Sequence, residues 1–318
     1  MRDGPLRAHN GTMWSGMTPD RPIPAFFREA HMNASFIIRR IGDAAGEATV
    51  SDYGAHVLRW APFGEPDVVW QPRDVFLAEG KAIRGGVPLI FPWFNSGYDE
   101  RGVRRTPKHG FARSVFWTPQ ERTEGDARMR WILSSEEVDE ATLARFYGNA
   151  TPRFHAVYEV AAGESLTCTL TVVNDGDAPF SYEAALHTYL HVGDALRANV
   201  HGLDGADFVD TALPGFPIVR QEGDVTFDGS LTDRIYLSDT DVELRDPVLG
   251  RTIALSSEGA TGTVVWNPGE RDGNAIGDLR EGEWRGFVCV EAVANRDRMI
   301  TLAPGESHAL AQTIAVRR

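Results

Sequence analysis

From Ser35 onward the chain is built of short apolar or alternating runs that recur every 8–15 residues, a spacing too tight for long helices. The runs are Ala48–Tyr53, His56–Trp60, Met129–Leu133, Phe154–Val160, Leu166–Val173, Val242–Leu244, Thr252–Leu255, Thr263–Trp266, Phe287–Val290 and Leu310–Val316. Val, Ile, Thr, Phe, Tyr and Trp dominate them, residues whose branched or flat side chains suit a pleated surface. Turn dipeptides stand between them, among them Asp175-Gly176, Asp228-Gly229 and Asp272-Gly273. Helical patterning is confined to Ser135–Tyr147, with Ser135 as the cap, acidic residues in the first turn and Gly148 after the last. No Pro- or Ser-rich linker and no internal repeat follows residue 35. The expectation is a mainly β protein, one large antiparallel β-sandwich over residues 33–318 with a few short helices.

Residues 1–32 are rich in Gly, Pro, Arg and Asn, lack the apolar core of a secretory signal, and read as a loose extension. Strand-like periodicity begins only at Ser35, which makes Met32 a candidate natural start and the cytoplasm the expected compartment. No apolar stretch approaches the ~20 residues that a membrane-crossing helix needs. An excess of 45 acidic over 32 basic residues, net −13, argues against nucleic-acid or anionic-membrane partners, whose affinity comes from Lys and Arg. Cys168 and Cys289 both sit in strand-like apolar runs and read as buried free thiols, too few for a disulfide framework or a cysteine-rich zinc module.

Against the acidic background, Lys81–Arg113 carries Lys81, Arg84, Arg101, Arg104, Arg105, Lys108 and Arg113 but only Asp99 and Glu100, a local net charge of +5. Such a patch is either a solvated basic loop or a site for a small anion held by forked arginines. Within it, Arg84-Gly85-Gly86-Val87-Pro88 lacks the Gly-Lys-Ser/Thr of a nucleotide loop, so its paired glycines imply close backbone approach or a positive φ. His187 and His191 are four residues apart, but on a strand that separates them by ~13 Å, too far for one metal ion. His187 alone is compatible with a satisfied core histidine. Glu291 is the one charge in Phe287–Ala294, and it is either a strand-end residue facing water or a carboxylate held in a site.

Taken in order, these segments resemble the hexose-6-phosphate mutarotases, also called glucose-6-phosphate 1-epimerases, of the galactose-mutarotase-like superfamily. The resemblance covers about residues 35–316 and rests on seven motifs: Ala82–Pro88 with Phe91–Phe94, His109–Arg113, Ala185–Tyr189, Thr232–Tyr236, Val264–Pro268, Val288–Glu291 and Leu302–Glu306. It implies a β-sandwich whose concave face holds a sugar, with no metal or organic cofactor in catalysis. It further implies His187 as general acid, Glu291 as general base, Arg84 and Arg113 on the sugar phosphate, and His109 and Asp233 on the ring oxygen and hydroxyls. The position before His109 departs from the family's glutamine; Lys108 there would add a point charge beside the ligand.

The function expected is therefore interconversion of the α and β anomers of glucose 6-phosphate or a related hexose 6-phosphate, an isomerase reaction on a small molecule, by a monomer. Two alternatives stay open at this level: an aldose 1-epimerase for unphosphorylated sugars, and a non-catalytic carbohydrate-binding protein on the same fold.

Overall fold

The alternation read from the sequence becomes a strict in–out pattern in the strands Phe154–Ala162 and Ser165–Asn174, where every second side chain is buried. A computed structural model describes residues 27–29, 36–98, 104–121, 125–147 and 151–318. Among these, the strands form a nine-stranded and an eight-stranded sheet, with a three-stranded sheet over Ile38–Asp43, Gly46–Ser51 and His56–Pro62 packed beside them. All ten predicted runs are strands, most of them a few residues longer than the apolar run itself.

The two large sheets are antiparallel and face each other across one apolar core. Trp131, Tyr158, Leu170, Ile253 and Leu310 enter it from the nine-stranded sheet, and Leu186, Tyr236, Val265, Val288 and Val290 from the eight-stranded one. Burial of this kind, at about 25 cal/mol per Å² of apolar surface, is what holds the layers together. Asp52 ties the three-stranded sheet to the sandwich, accepting from Arg39 Nε at 2.7 Å and from Trp131 Nε1 at 2.8 Å.

The eight-stranded sheet carries the strands that matter for the site. Thr232–Tyr236 pairs with Gly262–Asn267, which pairs with Phe287–Ala294, which in turn pairs with both Ala184–Leu186 and Tyr189–His191. Phe287–Ala294 is buried along its whole length because Val288, Val290 and Ala292 face the core while Phe287, Cys289 and Val293 sit in two smaller apolar clusters on the opposite face.

Two expectations need correction. The helix expected over Ser135–Tyr147 is two short pieces, a 3-10 turn at Ser135–Glu137 and a helix at Glu140–Leu143. Ser134, one residue earlier than expected, caps the first through a reciprocal bond with Glu137, and Asp139 caps the second by accepting from Thr142 N. Two competing caps with an extended Val138 between them break the helix, and Gly148 lies outside the described residues. Asp272-Gly273 is likewise no turn but the interior of the helix Gly269–Ala275. Gly273 is there for space, since a Cβ would come within 2.5 Å of the Trp284 Cβ.

Most of the extension expected over residues 1–32 lies outside the described residues; its Phe27–Glu29 forms a short parallel strand against Val75–Leu77. Asp99, Glu100 and Arg101 of the basic segment are also outside them. Among the described residues no helix is long and apolar enough to cross a membrane.

Candidate active site

The site grows out of strand register. Phe287–Ala294 pairs Ala292 with Leu186 and Cys289 with Tyr189, so the same register sets His187 opposite Glu291. Odd-numbered residues of both strands point away from the core, and the result is a direct contact, His187 Nδ1 to Glu291 Oε1 at 3.3 Å. One row along the same face come Tyr189, Cys289, Trp266 and Asp233, consecutive partners across four strands. The Tyr189 ring stacks on the His187 imidazole at 5.0 Å with the planes 9° apart. Glu291 is therefore mid-strand and not at a strand end.

His187 occupies a two-residue break between Ala184–Leu186 and Tyr189–His191, held by main-chain bonds from His187 N to Pro88 O and from Tyr189 N to Gly86 O. Across the core, Thr188 Oγ1 donates to Gln312 Oε1 at 2.5 Å while Gln312 Nε2 donates to Val290 O at 3.1 Å. One side chain of the nine-stranded sheet thus fastens the residues next to both His187 and Glu291. His191 points elsewhere, with Nδ1 on the Asp67 carbonyl, and the two histidines share no partner.

Loops supply the rest. Gly85 and Gly86 both have positive φ, and a Cβ at Gly86 would lie 2.3 Å from both His56 Nε2 and Val57 O, so the pair provides both features expected of it. This close approach seats Arg84, whose Nε bonds Asp278 at 3.1 Å and whose NH1 bonds the Tyr189 hydroxyl at 3.1 Å. The second loop carries Lys108, His109 and Arg113. Arg113 donates to the Lys108 carbonyl at 2.9 Å, and His109 Nδ1 accepts from Asn95 N at 3.2 Å. For a neutral imidazole that bond leaves the His109 proton on Nε2.

All seven residues singled out in the sequence, His187, Glu291, Arg84, Lys108, His109, Arg113 and Asp233, line one cavity of about 180 Å³. Lys108 stands exposed at its rim. Sequence reasoning gave no role to Tyr189, Trp266, Asn95 or Asp278. Tyr189 was accessible through the two-residue period of a strand, which puts it on the His187 face; Asp278 leaves no local signal.

Burial dominates the electrostatics. It raises the Glu291 carboxyl well above the ordinary range, Asp233 adds to that, and Arg113 and Lys108 oppose it. Burial also holds His187 well below its ordinary value, aided by Arg113 and Arg84, and does the same to His109. Asp233 is raised by burial. Arg113 is pushed down to about 10 by burial and remains cationic at neutral pH, while at Arg84 the pull of burial is outweighed by Tyr189 and Asp278, and its value rises. Glu291 Oε2 is buried with no hydrogen-bond partner, an arrangement costly to stability and common where a group must meet a ligand.

Comparison with known proteins identifies the family. The family model described as "Aldose 1-epimerase" matches residues 38–315. A protein of Escherichia coli (strain K12) named "Putative glucose-6-phosphate 1-epimerase" is 33% identical over 276 residues, covering 86% of this chain and 87% of that one. A protein of the same name from Cenchrus ciliaris is 28% identical over 259 residues, with 80% and 76% covered. The crystal structure of a "putative mutarotase" from Salmonella typhimurium superposes with a TM-score of 0.76 at 30% identity, over 88% of this chain and 90% of that one. The chain belongs to the aldose 1-epimerase family and has its galactose-mutarotase-like β-sandwich fold.

Proposed function

We propose that the protein is a hexose-6-phosphate mutarotase that interconverts the α and β anomers of glucose 6-phosphate or a close relative. The observation that carries this reading is the cross-strand pair His187–Glu291, 3.3 Å apart, in a cavity also lined by Arg84 and Arg113. The names of the relatives from E. coli and Cenchrus support the phosphorylated substrate.

In this reading Glu291 removes the proton from the C1 hydroxyl, and O1 becomes a carbonyl oxygen as the C1–O5 bond breaks. The electron pair of that bond goes to O5, which takes a proton from His187. Rotation about C1–C2 presents the other carbonyl face. O5 then attacks C1, returning its proton to His187, and O1 regains one from Glu291. Atoms and charge balance over the cycle, and nothing is oxidised.

Burial of the empty pair favours one shared proton, held on Glu291 beside a neutral imidazole. A phosphate dianion on Arg84 and Arg113 offsets their repulsion of the imidazolium, which favours moving that proton to His187 and arming both groups. His109, with Nε2–H free to donate, and Asp233 and Lys108 would position the ring oxygen and hydroxyls. Phosphate binding energy then holds C1 between acid and base.

A single catalytic domain over residues 33–318 is consistent with the shared apolar core. A dianionic substrate that does not cross membranes unaided supports a cytoplasmic location. The active species in this reading is a monomer, with no cofactor. The test is anomer exchange by NMR magnetisation transfer with glucose 6-phosphate, galactose 6-phosphate and unphosphorylated glucose at equal concentration. Exchange of the phosphosugars alone is expected. Exchange of free glucose alone would reassign the arginines, and no exchange at all would overturn the reading in favour of a binding protein.

A further inference from the structure

Beside the acid–base cavity opens a second cleft of about 560 Å³, and the two share Phe94, Asn95, Lys108 and Asp233. Its far wall adds Arg104, Arg296, Tyr98 and Phe216. The Arg296 guanidinium lies 4.7 Å from the Tyr98 ring centroid and 6.0 Å from that of Phe216, contacts that hold a cation in place without neutralising it. The buried Glu183 carboxylate beneath is occupied elsewhere, accepting from the amides of Phe94, Tyr98 and Arg296 and from the Tyr147 hydroxyl. Among the described residues, the Arg104, Lys108 and Arg296 side chains form no ion pair. The three cations outnumber the two carboxylates that also line the cleft, Asp233 and Glu183, and with Glu183 held by four donors the described lining keeps an excess of positive charge in a chain of net −13, a setting that attracts an anion.

The cleft can be placed relative to a bound sugar. With C1 and O5 at Glu291 and His187, and the C6 phosphate at Arg84 and Arg113, the edge of the pyranose left over is C2–C4. In the mutarotase reading that edge is left to Lys108 and Asp233, the residues through which the cavity adjoins the cleft. We propose that the cleft is a second, anion-accepting subsite, through which the enzyme takes hexose 6-phosphates bearing a further negatively charged substituent on C2, C3 or C4. This inference rests on the mutarotase reading of the adjoining cavity.

The test compares N-acetylmuramic acid 6-phosphate, which carries a lactyl carboxylate on O3, with N-acetylglucosamine 6-phosphate, which lacks that group but is otherwise the same phosphosugar. Calorimetric binding and anomer exchange are measured for both, and for glucose 6-phosphate, in the wild type and in Arg104→Glu and Arg296→Gln. Arg104 is exposed, so its replacement leaves folding intact even if Arg296→Gln does not. The carboxylated sugar is expected to bind roughly tenfold tighter than its neutral analogue, the worth of one charge-assisted contact. Each variant should erase that advantage and leave glucose 6-phosphate exchange within about twofold of wild type. Equal binding of the two analogues by the wild type, or an equal loss for both in the variants, would overturn the subsite. Absence of exchange with every sugar would overturn the mutarotase reading instead, and the calorimetric difference would still decide the subsite.

Discussion

His187, in the break between Ala184–Leu186 and Tyr189–His191, keeps the register of both those strands against Phe287–Ala294 and so stands opposite Glu291, in contact at 3.3 Å. Glu291 is mid-strand, while His187 sits in a two-residue break whose main chain is held by Pro88 and Gly86 as well as by the strands on either side. The proposed acid and base are thus set against each other by the pairing of the flanking strands, as a site that must move protons at two atoms of one ring would require.

If the two residues share one proton cycle, as proposed, their losses should not add. Glu291→Gln and His187→Ala are each expected to lower kcat by about 10²–10⁴ with the protein folded, and the double variant should fall little below the worse single one. Magnetisation-transfer rates, with circular dichroism as the folding control, read this directly. Near-wild-type exchange in either single variant would remove the role assigned to it.

The same carboxyl should show a trade between activity and stability. Glu291 has a folded pKa above its unfolded one, so its contribution to stability is fully present below the ordinary carboxylate range and is lost as pH rises through the folded value. Glu291→Gln is expected to melt above the wild type at neutral and alkaline pH, with the gap closing toward about pH 4. His187, whose folded pKa is depressed, contributes stability that is present above the ordinary imidazole range and is lost as pH falls. His187→Gln should therefore gain on the wild type in acid. Thermal melts across pH check both signs.

Arg84 is engaged by Asp278 and by the Tyr189 hydroxyl, whereas among the described residues Arg113 bonds only the Lys108 carbonyl. Replacing either arginine by alanine should raise KM for glucose 6-phosphate by roughly 10–100-fold, the value of a charge-assisted bond to phosphate. Asp278→Asn should lower KM, because the substrate anion no longer competes with a carboxylate for Arg84. An unchanged or raised KM in Asp278→Asn would show that Asp278 orients the arginine and does not compete for it.

Tyr189 joins the two halves of the site, its ring against His187 and its hydroxyl on Arg84. Tyr189→Phe keeps the ring and should act mainly on KM, and Tyr189→Leu should lower kcat as well. Steady-state exchange kinetics separate the two, and equal kcat values in both variants would refute the stacking role.

Much of this fold is legible in the sequence because half-buried strands must alternate, and the long ones, such as Ser165–Asn174, state their faces residue by residue. Leu89–Ile90 and Ala184–Leu186 are too short to declare a period, and Ser135–Tyr147 misleads because two caps sit where one was expected. For the site, the residue types and motif order pointed to the seven side chains, but not to their contacts. Nothing local to Leu186-His187-Thr188 says that its partner strand lies about a hundred residues later. Asp278 lies in a segment with no pattern of its own, and only the folded chain brings it to Arg84.

Gln312 ties the distal sheet to the His187–Glu291 pair. It does not line the cavity, yet it is the sole side chain bonded to both Thr188 and the Val290 carbonyl among the described residues, one residue from His187 and one from Glu291. The far layer is thereby more than a support: a lesion in it reaches the His187–Glu291 pair through a single amide. On the proposed mechanism, loss-of-activity substitutions need not map to the pocket at all, and a survey that stopped at its walls would overlook the residue on which the alignment of His187 and Glu291 converges.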